Sequence, residues 1–201
     1  MNLADAQTEF AARGFDYLEA GRRTTMLNAA KNAFEDFYPF PWLEGFQIGP
    51  APLVIPDLKY ILLTTADGRE LWGSDIRQIV AGGNDLNETG TAEVWYLADQ
   101  VGDAVTMRVW PVDTPTLRVI YVKRSPELVS GTDKPLIPER YHPLWLDLAV
   151  VQAYHDSDNF VGAQALLGEV SAQMLSVIES YETRNRQHSI PVTVHGYSED
   201  E

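Results

Sequence analysis

Cysteine does not occur in the 201 residues. Its absence excludes disulfides, thiolate metal sites, iron–sulfur clusters and cysteine nucleophiles together. Positive charge is scarce. Fifteen Lys and Arg stand against 29 Asp and Glu, a formal net charge of −14. A protein that grips nucleic acid through its phosphates needs a basic face, so this balance argues against such a grip, though not against DNA sliding past. No apolar run reads as approaching the ~18 residues of a membrane span. Residues 1–20 carry charges throughout and lack the apolar centre of a secretion signal, so nothing in them suggests export. What is present is a 45% apolar fraction, enough for a real core. The length suits one domain or two small ones.

The acidity is uneven. Residues 1–45 hold 4 basic and 7 acidic residues, net −3, and residues 46–125 hold 7 and 10, also −3. Residues 126–201 hold 4 and 12, net −8. That last third is either a solvated surface that keeps the chain soluble or one that repels a polyanion or attracts a basic partner.

Periodicity divides the chain into helix, sheet and helix. A first helix is capped by Asn2 or Asp5, carries Phe10, Gly14, Tyr17 and Leu18 near one face, and is expected to end at Gly21. A second, capped by Thr24 or Thr25, repeats Met26, Leu27, Ala30, Phe34 and Phe37 at steps of three and four, until Pro39 and Pro41 stop it. The two form an antiparallel hairpin. The aromatic–proline run Tyr38–Trp42 reads as a rigid corner that turns its rings inward. Asp67–Gly68, between Lys59–Thr65 and Arg69–Trp72, predicts a β-hairpin. Ser74 caps a short helix over Asp75–Val80, and residues 82–91 form a loop. Glu93–Ala98, Ala104–Trp110 and Thr116–Lys123 complete an antiparallel meander.

The last third returns to helix. A turn over 138–141 precedes a helix from His142, with Pro143 in its first turn and Leu144, Trp145, Leu148 and Val151 buried. After a break at 155–158, Asp158 caps a helix in which Phe160, Ala163, Leu167, Val170, Met174, Val177 and Tyr181 alternate by three and four. This seam packs against the preceding helix or is shared with another subunit. In the tail, Ile190, Val192 and Val194 alternate with Pro191, Thr193 and His195, a strand pattern with nothing adjacent to pair with. It reads as strand addition onto a partner sheet or as a frayed terminus.

The reading is therefore an α+β fold. Its parts are an N-terminal helical hairpin (1–45), an inserted antiparallel β-rich meander with a short helix (46–125), C-terminal helices completing a small bundle (126–187) and an extended acidic-ended tail (188–201).

Chemistry is sparse. No dinucleotide fingerprint, phosphate-binding loop or nucleophile elbow is present. Asp156–Ser157–Asp158 starts like a calcium loop, but Phe160, Gly162 and Leu167 occupy positions that need a ligand, another spacing and a glutamate. His142 and His155 lie thirteen residues apart, roughly 20 Å along a helix, too far to share one metal. No cofactor, metal or catalytic residue is expected. Pairs such as Glu35–Asp36 are inevitable among so many acids and carry little weight for acid–base catalysis.

The order of elements resembles the head–tail adaptor (connector) proteins of tailed bacteriophages. The residues that carry the resemblance are Ile55–Pro56–Asp57–Leu58, Val109–Trp110–Pro111, and Ile137–Pro138 followed by Tyr141–His142 and the helix Leu144–Tyr154, within residues 5–185. The resemblance implies a non-enzymatic virion protein in the neck of the particle, assembled in the host cytoplasm. It implies neighbouring adaptor subunits in a ring, about twelve of them, docked on the portal protein. It further implies contact with a stopper or tail-completion protein, DNA passing through the channel without specific binding, and no membrane. Under it, Ile190, Val192, Val194 and Tyr197 bind the portal or a neighbouring subunit, and Phe160, Leu167, Val170, Met174 and Tyr181 form the helical seam. The competing reading is an acidic cytoplasmic module that mimics DNA or caps a basic partner. A small hydrolase using carboxylates and His142 or His155 is a third.

Overall fold

A computed structural model describes residues 1–188, with side chains of the last helix described through Thr183. The tail residues Ile190, Val192, Val194 and Tyr197 lie outside the described residues. The fold is α+β, with antiparallel sheets and C-terminal helices.

Helix α1 (Leu3–Phe10) begins with a capping box in which Asn2 Oδ1 accepts from Asp5 N–H at 2.8 Å. It does not run to Gly21. A π-helical turn, Ala11–Phe15, follows, and Gly14 takes φ of +100°, which breaks the helix there. Tyr17 is left exposed. Helix α2 (Ala20–Asp36) begins before Gly21, so Gly21 lies in its first turn. Thr24 and Thr25 are not caps, because their hydroxyls donate back to the carbonyls of Ala20 and Gly21. Met26, Leu27, Ala30 and Phe34 are buried, whereas Phe37 stands beyond the helix end and is half exposed.

The corner residues turn inward. Phe40 is fully buried and stacks on Trp42 with centroids 4.2 Å apart, and Phe34 lies 5.5 Å from Phe40.

The β region forms two four-stranded sheets in place of a single meander. The first has the order β1-β8-β3-β4 and contains β1 (Glu44–Pro50), β3 (Leu58–Ala66), β4 (Arg69–Glu70) and β8 (Thr116–Lys123). The second has the order β2-β7-β6-β5 and contains β2 (Leu53–Ile55), β5 (Trp72–Gly73), β6 (Val94–Val101) and β7 (Ala104–Trp110). All pairings are antiparallel except β5 with β6. Asp67 and Gly68 both have positive φ, the requirement of a tight hairpin turn. A buried cluster that includes Leu53, Ile55, Met107, Val109, Leu117 and Val119 fills the sandwich. Helix α3 (Ile76–Ala81) is capped by Asp75, not Ser74, through Arg77 N–H at 2.8 Å.

Helix α4 (His142–Asp156) carries Pro143 in its first turn after a 3₁₀ turn at Glu139–Tyr141. Trp145 is fully buried and donates from Nε1 to the Leu27 carbonyl at 2.9 Å, which fixes α4 on α2. Helix α5 (Phe160–His188) is capped by Asn159 rather than Asp158: Gly162 N–H donates to Asn159 Oδ1 at 3.1 Å, and Asp158 takes a positive φ. A second buried cluster joins α1, α2, α4 and α5 and reaches Val122 at the end of β8.

Candidate interaction surfaces

Among the described residues no group of three or more His, Asp or Glu is placed to hold a metal. His142 is buried, with Nε2 2.8 Å from the Ile137 carbonyl, and burial lowers its pKa. His155 is an exposed residue whose ring lies 5.9 Å from Phe160. The features that stand out are surfaces.

The first is the edge of the first sheet. Among the described residues strand β1 pairs only with β8, from Glu44 opposite Val122 to Pro50 opposite Thr116. The next bond in that ladder, Ala51 N–H to the Pro115 carbonyl at 3.1 Å, sets the alternation. Odd-numbered residues of β1 bond to β8, so the backbone groups of Glu44, Phe46, Ile48 and Pro50 face the open edge. Glu44 N–H is occupied by the Pro41 carbonyl, and Pro50 has no N–H to offer. The side chains of β1 are inverted relative to an ordinary strand. Gly45 and Gly49 face the sandwich because an added Cβ would sit 2.5 Å from the Tyr121 ring at Gly45 and 2.7 Å from Leu53 at Gly49. Phe46 and Ile48 face solvent at 62% and 53% exposure. Across the sheet, Phe46 pairs with Ile120 and Ile120 with Leu63, so an apolar row crosses the outer face beside exposed Tyr60. Sequence reasoning missed β1. The alternation of Phe46 and Ile48 was a signal, but one that ordinarily means burial.

The second surface is α5. Val170 and Met174 are buried and Tyr181 packs against the helical core, whereas Phe160 and Leu167 are exposed. The five seam residues therefore do not share one buried face. Val161 and Leu175 are exposed as well. Within Phe160–Thr183 this helix is long and apolar enough to cross a membrane by length and composition: an 18-residue window has a mean hydropathy of 1.3, and 17% of that window is buried. The expectation concerned unbroken apolar runs, and those stay short here, because Gln164, Glu169, Gln173 and Glu179 interrupt the helix; only its average is apolar. The inner face of α5 belongs to the protein core, and its outer face is unpartnered among the described residues.

The third is a cleft of about 710 Å³ where α2 meets the start of β3 and the end of β8, lined by Glu35, Asp36, Asp57, Lys59, Arg124 and Ser125 among others. Lys31 is fully buried beneath it and donates from Nζ to the carbonyls of Ser125 (3.2 Å) and Pro126 (2.6 Å). One turn on, Glu35 Oε2 accepts from Ser125 Oγ at 2.7 Å, while Oε1 is buried without a partner. Burial lowers the Lys31 pKa and raises that of Glu35. Lys59 ties the same helix end, donating to the Glu35 carbonyl and pairing with Asp36. Asn28 accepts from Leu128 N–H and donates to its carbonyl, both at 2.9 Å. These contacts clamp the segment that leads from β8 to the C-terminal helices onto α2.

At the foot of α5, Tyr181 meets the aromatic corner: its ring lies 5.7 Å from Trp42 and 6.0 Å from Phe40, and its hydroxyl accepts from Arg140 at 2.6 Å. The stretch of α5 around Tyr181 therefore lies beside the entry to β1.

The family model described as SU10 adaptor protein matches residues 2–194. No curated protein matches the chain.

Proposed function

The chain belongs to the SU10 adaptor protein family, and we propose that it forms a head–tail adaptor ring, docked under the portal and extending the DNA channel to the stopper or tail proteins. The family is one of structural phage proteins that work within the virion and contact other head or tail proteins. The observation that carries the reading is a match over nearly the whole chain. The position in the neck, assembly in the host cytoplasm and the twelvefold ring belong to the proposal.

The mechanism is docking repeated around a ring. Each subunit contributes a modest contact, and simultaneous engagement multiplies the contacts into a durable joint. Ile190, Val192, Val194 and Tyr197 bind the portal or the neighbouring subunit. The exposed apolar row of the first sheet and the outer face of α5 supply the remaining contact area. A net charge of −14 keeps the channel from adhering to the passing polyanion.

The test is deletion of residues 188–201. The truncated protein is expected to keep its circular dichroism spectrum and cooperative melt, since the buried clusters end at Tyr181, and to be lost from assembled particles. Normal incorporation of the truncated protein would overturn the assignment of the tail.

A further inference from the structure

The cleft where α2 meets the first sheet is short of positive charge. Besides Glu35 and Asp36 its wall carries Asp57, Asp103 and Glu127, against Lys59 and Arg124. Lys59 is engaged with Asp36 and with the Glu35 carbonyl. Four carboxyl groups and one guanidinium are left around the opening. An acidic wall alone is ordinarily no more than a solvated surface.

Glu35 sets this wall apart. It is only 6% exposed, yet it lines the cleft. Its Oε2 accepts from Ser125 Oγ, while Oε1 is buried with no hydrogen-bond partner. Native structures leave few buried polar atoms in that condition. The nearby cations do not relieve it. Lys31 gives its ammonium to the carbonyls of Ser125 and Pro126, and Lys59 is held as described above. Among the described residues no side-chain hydrogen bond or ion pair engages the Arg124 guanidinium either. The missing partner of Oε1 is a donor, and no side chain among the described residues supplies it.

The spread of the carboxyl groups decides what kind of donor fits. A metal ion needs several oxygen ligands converging on one point. Among the described residues no three carboxylates or histidines are placed that way. Carboxyl groups distributed around a cleft of about 710 Å³ suit a larger cation with several donors. A guanidinium is such a cation: it is planar, carries five N–H donors, and is less strongly hydrated than an ammonium, so it enters a half-enclosed site at lower cost. It also donates to carboxylates with well-defined geometry. We propose that the cleft takes an arginine side chain of another protein, its guanidinium donating to Glu35 Oε1 with Asp57, Asp103 and Glu127 around it. The site stands on the geometry alone. Its source rests on the adaptor reading, whose family contacts other head or tail proteins.

Isotope-labelled, purified protein is titrated with acetyl-arginine methylamide, with its lysine and citrulline counterparts, and with magnesium chloride alone, and the amide resonances are followed by NMR. The arginine probe is expected to give saturable shifts centred on residues 32–36, 57–59 and 124–127, which line the cleft. The lysine probe is expected to bind more weakly and the uncharged citrulline probe not at all. Glu35→Gln is expected to weaken the arginine probe about tenfold, the loss of one charged hydrogen bond. Should that variant fail to fold, Asp57→Asn with Asp103→Asn, both at exposed positions, gives the same readout. Arg124→Ala, which removes a like charge from the wall, is expected to tighten binding. Equal response to the arginine and lysine probes, or magnesium moving the same amides, would overturn the guanidinium assignment. No response to any probe would mean that water satisfies Glu35, and would overturn the site. In particles, the Asp57→Asn, Asp103→Asn variant is expected to be incorporated less well than wild type. Normal incorporation of a variant that has lost probe binding would overturn a virion protein as the source. Wild-type chain missing from particles would remove the adaptor reading and leave the site to stand on the titration.

Discussion

Lys31 is the sharpest place to test how the sheet region and helices are held together. It is fully buried, and its ammonium makes bonds of 3.2 and 2.6 Å to two carbonyls of the segment leaving β8. Glu35, one turn along α2 and itself only 6% exposed, acts on it through its charge without a direct ion pair. Lys31→Met keeps the length and apolar stem of the side chain and removes the charge. The loss includes two hydrogen bonds from a charged donor, each worth about 1.5–3 kcal/mol, partly offset because no ammonium remains to be desolvated. Removing one member of a buried pair ordinarily costs about 3–5 kcal/mol. Retained packing of the stem places the expected cost near 3 kcal/mol, which is a fall in melting temperature of about 6–12 °C for a chain of this size. Replacing both partners, Lys31→Met with Glu35→Gln, is expected to recover about half of that, because no uncompensated carboxyl is left. The assay is urea unfolding of the wild type, both single variants and the double, closed as a cycle. A cost under about 1 kcal/mol for Lys31→Met, or additive single and double effects, would refute the claim that the two groups act as a pair.

Gly45→Val would drive a side chain into the Tyr121 ring, whose nearest atom is 2.5 Å from the position of an added Cβ. A loss of about 1–3 kcal/mol by denaturant midpoint is expected, and a neutral result would mean that Tyr121 can move aside. Asn28→Ala removes both hydrogen bonds to Leu128 and is expected to cost about 2 kcal/mol, with Asn28→Asp, which keeps the acceptor, losing less. For Glu35 the sign follows from burial, which raises its pKa in the folded chain above the ordinary carboxyl value. The unfolded chain then releases the proton first, so this group's contribution is full below the ordinary value and lost as pH rises through the raised one. Glu35→Gln is expected to flatten that part of the stability–pH profile, measured by urea midpoints from about pH 4 to about pH 8, and an unchanged slope would count against the assignment.

Much of the architecture was legible because it is local. The stripe Met26, Leu27, Ala30 and Phe34, the Asp67–Gly68 turn and Pro143 in the first turn of α4 all follow from spacing and backbone preference within a few residues. The misses are places where a contact distant in sequence overrode the local signal. Gly21 looks like a terminator, yet the break falls at Gly14, where the chain folds so that the Phe15 ring stacks on Phe10, centroids 5.0 Å apart. The strands were largely found, but their division into two sheets depends on which partner each meets, and no periodicity encodes that. The burial of Lys31 and Glu35 was invisible for the same reason, since i, i+4 charges on a helix ordinarily lie in water.

Strand β1 carries this argument furthest. Its pattern Gly45–Phe46–Gln47–Ile48–Gly49 would by alternation alone turn Phe46 and Ile48 inward. The inner positions are taken by Tyr121 and Leu53, which leave room only for glycine, so the large residues are forced outward. An isolated monomer gains nothing from that arrangement, since two large apolar side chains stay in water at 62% and 53% exposure. Such a disagreement between local pattern and tertiary placement is where a functional surface is expected. The same holds for α5, whose outer face keeps Val161 and Leu175 exposed while its inner face fills the core. Two elements far apart in the chain thus share one property: each packs one face into the fold and keeps large apolar side chains exposed on the other.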